Sequence, residues 1–340
     1  MMGSHDDHSK GPYPDLRGAF MLTVLAIVAA GFTGIAFIDF GLLAALGIGQ
    51  AIGVGAVATM GAQRVAEPQA ERLGLRALDL KMIPMILCLA PAVLLASEFD
   101  NFAADWSGVT EEIVRTNDLD SSAEFDRPEP SEDEFASLSE EESAGTQGDG
   151  TPEQITKLFD PDDPWSLLSA FIVMVGISPV VEEFLFRGVI QQGLVQRMGL
   201  LRGVTMVAIL WTLLRPAPIA GFARFLAAAI ASFGLGWALG MVRIASGSIL
   251  GSILLASSWA AIGLSAIALE GKMDLPGMNV DGTHLPWSVT FGSIVLVAWA
   301  GKAIFEEARR RFDAREVGAA GPARPEAPPT SPTDSEQDDS

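Results

Sequence analysis

An all-α membrane protein of about eight transmembrane helices is the fold this sequence predicts, on three observations. Of its 340 residues 49% are apolar and the mean hydropathy is +0.34, too apolar for a water-soluble domain of this length. Eight apolar runs bounded by charge or proline follow one another, at 18–38, 40–62, 82–97, 165–196, 203–215, 218–242, 246–269 and 286–304. Lysine and arginine gather between alternate runs, as they do on one face of a bilayer.

Residues 1–17 are polar and turn-prone and read as a disordered tail. The apolar run that follows has no processing site, so it is expected to stay as a span rather than leave as a signal peptide. The first three helices occupy 18–97. Asp39 falls in a short turn between the first two, and Gly49-x-x-x-Gly53 in the second reads as a helix-packing face. The third and fifth runs look short, with Pro216 and Pro218 ending the fifth, so one is expected to be tilted or re-entrant.

The net charge is −20, and residues 98–164 alone hold 21 acids against 3 bases. That segment is rich in Ser, Glu and Asp, contains Pro128 and Pro130, and has no apolar periodicity, so a largely disordered, solvated extracytoplasmic loop is expected. A short helix is predicted from Thr151 to Phe159, with Pro152 at its first position. The rest of the chain is close to neutral, which excludes nucleic acid as a partner and a halophilic surface. Five helices make up a core over 165–304, and 305–340 is expected to be a mostly disordered tail.

Orientation follows from Arg64, Arg72, Arg76 and Lys81, from Arg197, Arg202 and Arg243, and from Arg309 to Arg311. Eight crossings place them all on one side, so both termini are expected in the cytoplasm of a prokaryotic plasma membrane. One cysteine, Cys88, excludes an intrachain disulfide and a cysteine-rich metal site. His5-Asp-Asp-His8 has no preorganised geometry, so neither metal nor cofactor is expected.

The functional lead is Glu182-Glu183 with Arg187, inside the fourth run. An ionisable side chain at mid-membrane is costly unless it faces a partner or a wet cavity. Glu183 and Arg187 are spaced for a helical ion pair, the acid on the N-terminal side. Glu182 points about 100° away, free to face another helix or water. Pro179 removes a backbone donor and should leave the carbonyl near residue 175 for water or a neighbouring helix. A buried ion pair that merely locks two helices accounts for the same residues equally well.

The run Glu182-Glu183-Phe-Leu-Phe-Arg187-Gly188, preceded by Pro179, resembles the first motif of the CPBP family, the CAAX-protease and bacteriocin-processing (Abi) intramembrane proteases. Gly236-Trp-Ala-Leu-Gly240 and Ser246-Gly-Ser248 resemble its paired glycines and the turn into its last core helix, and Leu73-Gly-Leu-Arg76 its early basic segment. The resemblance implies that Glu182 is a base acting on water, supported by Glu183 and Arg187. It also implies one histidine from a Phe-x-x-x-His motif and a second from His-x-x-x-Asn. Trp211-Thr-Leu-Leu-Arg215 stands in the first place, so Arg215 replaces a histidine, while Ala256 and Ala260 stand where the second histidine and the asparagine belong. Helix arithmetic agrees with that alignment: Glu182, Arg215 and Ala256 lie 15, 13 and 13 positions from Arg197, Arg202 and Arg243. At 1.5 Å per residue the three share a depth of about 20–22 Å.

Peptide hydrolysis needs a base, an acid for the leaving amine and donors for the oxyanion. Arg215 does not deprotonate, and a fixed cation beside Glu182 favours the charged carboxylate and weakens it as a base. Ser248, Ser252, Ala256 and Ala260 recur every four residues, which reads as a close-packing seam. His-Glu-x-x-His is absent, and so is any histidine within a span. The expectation is a non-proteolytic, degenerate family member bound in lipid that binds a membrane-anchored peptide or protein. The alternatives are an active glutamate-dependent endopeptidase and a transporter-like or structural protein.

Overall fold

The computed structural model describes residues 12–107, 158–215, 222–280 and 282–320. His5 and His8, Pro128 and Pro130, Thr151 and Pro152, Pro216 and Pro218, and the chain beyond 320 lie outside them. Eight principal helices run through the described residues: α1 (Leu16–Ala36), α2 (Leu42–Ala62), α3 (Leu80–Ser107), α4 (Pro164–Met198), α5 (Leu200–Thr212), α6 (Phe222–Ser246), α7 (Ile249–Ala268) and α8 (Trp287–Ala320). There is no strand among the described residues, only a single bridge between Pro276 and Val280. Seven of the helices are long and apolar enough to cross a membrane, and α5 is the short one.

Local chemistry sets the ends. Asp15 caps α1, its side chain accepting from Gly18 N at 2.8 Å, and Asp163 caps α4 by accepting from Trp165 N and Ser166 N ahead of Pro164. The α1–α2 hairpin turns at Gly41, whose φ of +98° favours glycine. Gly49 and Gly53 form a packing face: a Cβ at Gly53 would come within 2.5 Å of Ala30 Cα, and one at Gly49 within 2.7 Å of Ala30 O. α4 is the hub, with α2, α5, α6 and α7 packed around it and Leu185, Val189, Ile190 and Leu194 fully buried along it.

Four expectations need correction. α3 does not stop at 97 and is not short; it runs to Ser107, because the acids that end its hydropathy signal are held by distant groups. Arg224 pairs with Asp100 at 2.8 Å, and His284 lies 2.9 Å from Glu98 and 2.7 Å from Asp105. The first residues of the acidic segment are therefore helix. At the N-terminus, residues 12–17 are ordered rather than tail: Arg197 Nε donates to Pro12 O at 2.6 Å, Gln192 Nε2 donates to Tyr13 O, and Gly193 admits Pro14. α8 continues to Ala320, far past 304, because Glu307 bridges Arg310 and Arg311 along it while Ile304 and Ala308 stay buried. The fourth correction, to the α7 stripe, bears on the site.

Candidate functional site

α4 is α-helical only over Ser178–Glu183 in its middle. Wider π turns, Phe171–Ile177 and Phe184–Ile190, flank this stretch. Such turns break the regular backbone ladder and recur at functional sites. Pro179 supplies part of the break. The carbonyl it leaves without its usual donor, that of Val175, accepts instead from Ser257 Oγ on α7 at 2.8 Å. Of the two expected sources of a donor for that carbonyl, water or a neighbouring helix, the structure shows the helix; the spacing of Ser257 alone does not single it out.

The two glutamates part company as helical geometry requires. Glu183 is 1% exposed and pairs through Oε1 with Arg187 Nη1 at 2.8 Å, the arginine itself fully buried. Arg187 Nη2 goes on to Gly236 O at 3.0 Å, and Gln191, one turn later, donates to Gly240 O at 2.8 Å. The paired glycines thus serve twice. They let α5 approach, a Cβ at Gly236 falling 2.9 Å from the Trp211 ring and one at Gly240 2.7 Å from Val204, and they bare two carbonyls, four residues apart, to Arg187 and Gln191. Gln191 is absent from the sequence-predicted site, although it is the next member of the Glu183-Arg187 row.

Glu182 faces the other way. Its Oε2 accepts from Arg215 Nη2 at 2.8 Å and its Oε1 from Ser178 Oγ at 3.0 Å, Ser178 being one turn earlier on the same face. The Trp211 ring lies 4.1 Å from the Arg215 guanidinium carbon and 5.2 Å from that of Arg187, within cation–π reach of both. Trp211 therefore separates a sealed ion pair from an open one. Ser178 has no part in the sequence-predicted site, and Trp211 none beyond its place in the Trp211–Arg215 motif.

Glu182 and Arg215 stand between two cavities. One, of about 260 Å³, is bounded by Ser178, Pro179, Trp211, Ser232, Ala256 and Ala260 among others. The second, of about 500 Å³, opens between α1 and α2 past Ala30, Gly34, Ile38 and Gly49 and ends on Glu182, Trp211 and Arg215. Hence the correction to α7: Ser248 and Ser252 are fully buried, whereas Ala256 and Ala260, half-buried and packed in part against the apolar core, also line the cavity that Glu182 lines, so the packing seam opens there. Helix arithmetic puts Glu182, Arg215 and Ala256 at one depth, and they share this cavity.

The segment 164–262, which contains the whole of this constellation, matches the family model described as Type II CAAX prenyl endopeptidase Rce1-like. Over these residues, less than a third of its length, the chain is similar to that CPBP-type family. Neither a curated protein nor a solved structure gives a significant match. Seven helices long and apolar enough to cross a membrane, α4, α6 and most of α7 in the matched segment, make this an integral membrane protein in contact with lipid.

The chemistry available at this site is narrow. Among the described residues, Glu182 and Arg215 are the only ionisable ones lining the smaller cavity. Arginine holds its proton, so any proton that Glu182 took from water would have to be returned by Glu182 itself while Arg215 stayed bound to it. Arg215, 42% exposed, has further N–H groups to offer an oxyanion or a ligand carbonyl. The described residues contain no group of three or more His, Cys, Asp or Glu that could hold a metal ion.

Proposed function

We propose that this CPBP-type protein binds a membrane-anchored peptide without hydrolysing it, the Arg-rich ends of its helices and both termini facing the cytoplasm. The observation that carries this reading is the direct 2.8 Å bond of Arg215 to Glu182 in a cavity whose opposite wall presents the methyl groups of Ala256 and Ala260. The base position is already bonded on both oxygens, and the two alanines across from it carry neither a donor for an oxyanion nor an acid for a leaving amine. What remains is a polar pair at the end of an apolar cleft of about 500 Å³, a combination suited to an extended, largely apolar segment with peptide groups to hydrogen-bond.

A second reading, a glutamate-dependent endopeptidase, is favoured by one feature: the pair is open to the cavities rather than sealed, with Glu182 18% and Arg215 42% exposed. Capture separates the two. Photo-crosslinking of a membrane-anchored peptide in proteoliposomes should be retained within about two-fold by Glu182→Gln, since one neutral hydrogen bond replaces an exposed ion pair worth at most about 1 kcal/mol. Ala256→Phe, which fills the smaller cavity, should reduce it. Loss of capture in Glu182→Gln with intact folding counts against the binding reading.

A further inference from the structure

Arg243, near the end of α6, is 3% exposed and forms no ion pair among the described residues. Its Nη2 donates to Arg72 O at 3.1 Å, while Nε and Nη1 have no partner there. A guanidinium carries five N–H donors in a rigid fork, so most of this one is unsatisfied. The charges that act on it are those of Arg315 and Arg76, both repulsive, and Arg311 acts in turn on Arg315. Two of the acids at this end are already engaged: Glu71 bonds Arg76 and also attracts Arg315, and Glu307 bonds Arg310 and Arg311 at 2.6 Å.

The fold makes room for this convergence. Gly74 and Gly247 adopt φ of +74° and +70°; a Cβ at Gly74 would collide with the Arg243 guanidinium, and one at Gly247 would fall 3.0 Å from Arg311 Nη1. Ile249 N bonds Gly74 O at 3.0 Å and Ser248 Oγ donates to Arg76 O at 2.5 Å, holding the Leu73–Arg76 segment against the α6–α7 turn. A buried cation among like charges is unfavourable until an anion joins it. Arg76 and Arg315 are exposed, so the cluster is open to the membrane surface, and their level beyond the apolar part of α8 is that of lipid headgroups.

We infer that Arg243, Arg76 and Arg315 form a binding site for a phosphate-type anion, supplied by the headgroup of an anionic lipid. The planar forks of arginine match phosphate oxygens, and the site lies apart from Glu182 and owes nothing to its chemistry.

The test uses the full chain in nanodiscs, with unfolding followed by tryptophan fluorescence. Adding phosphatidylglycerol to phosphatidylcholine should raise the Tm saturably, by roughly 2–4 °C. Arg243→Gln perturbs a buried position, so the exposed pair Arg76→Gln/Arg315→Gln carries the test and should lose most of that rise. The charge-matched control Lys302→Gln/Arg309→Gln should keep it. The same rise from inorganic phosphate in neutral lipid, at matched ionic strength, would support the anion site and overturn the lipid as its source. No rise with either, or an equal rise in the Arg76/Arg315 variant, overturns the site.

Discussion

Replacing Arg187 by alanine should remove about 3–5 kcal/mol of stability and leave little folded protein in the membrane. The guanidinium is fully buried, bonds Glu183 at 2.8 Å and Gly236 O at 3.0 Å, and lies 5.2 Å from the Trp211 ring. Its removal strands the Glu183 carboxylate at 1% exposure, and Glu183 Oε2 has no hydrogen-bond partner among the described residues even with Arg187 in place. An uncompensated buried charge is far more costly than the loss of a neutral contact. Arg215→Gln, at the exposed pair next door, should cost no more than about 1 kcal/mol. The double change Glu183→Leu/Arg187→Met removes both charges together and should recover the larger part of the loss, though not the bond to Gly236. Unfolding midpoints of the singles and the double settle the matter: strictly additive effects would mean that the two side chains are not energetically coupled.

A second large effect concerns pH. The His284 ring is bridged at both nitrogens by α3, Nδ1 to Glu98 at 2.9 Å and Nε2 to Asp105 at 2.7 Å, and lies 4.6 Å from the Phe102 ring, tilted to it by 34°. Glu98 also accepts from Leu285 N at 2.9 Å, so one carboxylate fixes both the ring and the start of the turn into α8. Arg224 of α6 is the neighbouring cation, paired with Asp100. The hydrogen bond to Asp105 is the main cause that raises the imidazole above its ordinary 6.5, burial opposing it and Glu98 adding to it. Since the folded value lies above the unfolded one, the stabilisation is complete below pH 6.5 and is lost as pH rises through the raised value. The Tm of the wild type should therefore exceed that of His284→Gln at acidic pH, with the gap closing on the alkaline side. A gap independent of pH would show that His284 acts by packing alone.

Part of the site is legible in the amino-acid sequence, and the reasons differ residue by residue. Glu183-Arg187 follows from spacing on one helix, and the shared depth of Arg215 and Glu182 follows from helix rise, though the direct bond between them does not. Both depend only on rise and turn, which the chain carries locally. The end of α3 is hidden because Glu98, Asp100 and Asp105 signal a loop by composition. Their partners, His284 and Arg224, are more than a hundred residues away and invisible to a sliding window. The same holds for α7. A four-residue repeat of small side chains says that something comes close, but whether that is a helix or a cavity depends on the π turns and Pro179 in α4. Gln191 is the instructive omission, since its row is visible in the sequence and only its carbonyl partner is not.

The proposal that Glu182 does not serve hydrolysis is tested most directly by reconstituting the full chain with a membrane-anchored peptide and comparing cleavage by the wild type and by Glu182→Gln over a range of pH. No cleavage attributable to Glu182 is expected, the two proteins giving the same background. Cleavage by the wild type that disappears in a folded Glu182→Gln protein would contradict this and would make Arg215, rather than a histidine, part of a working active site.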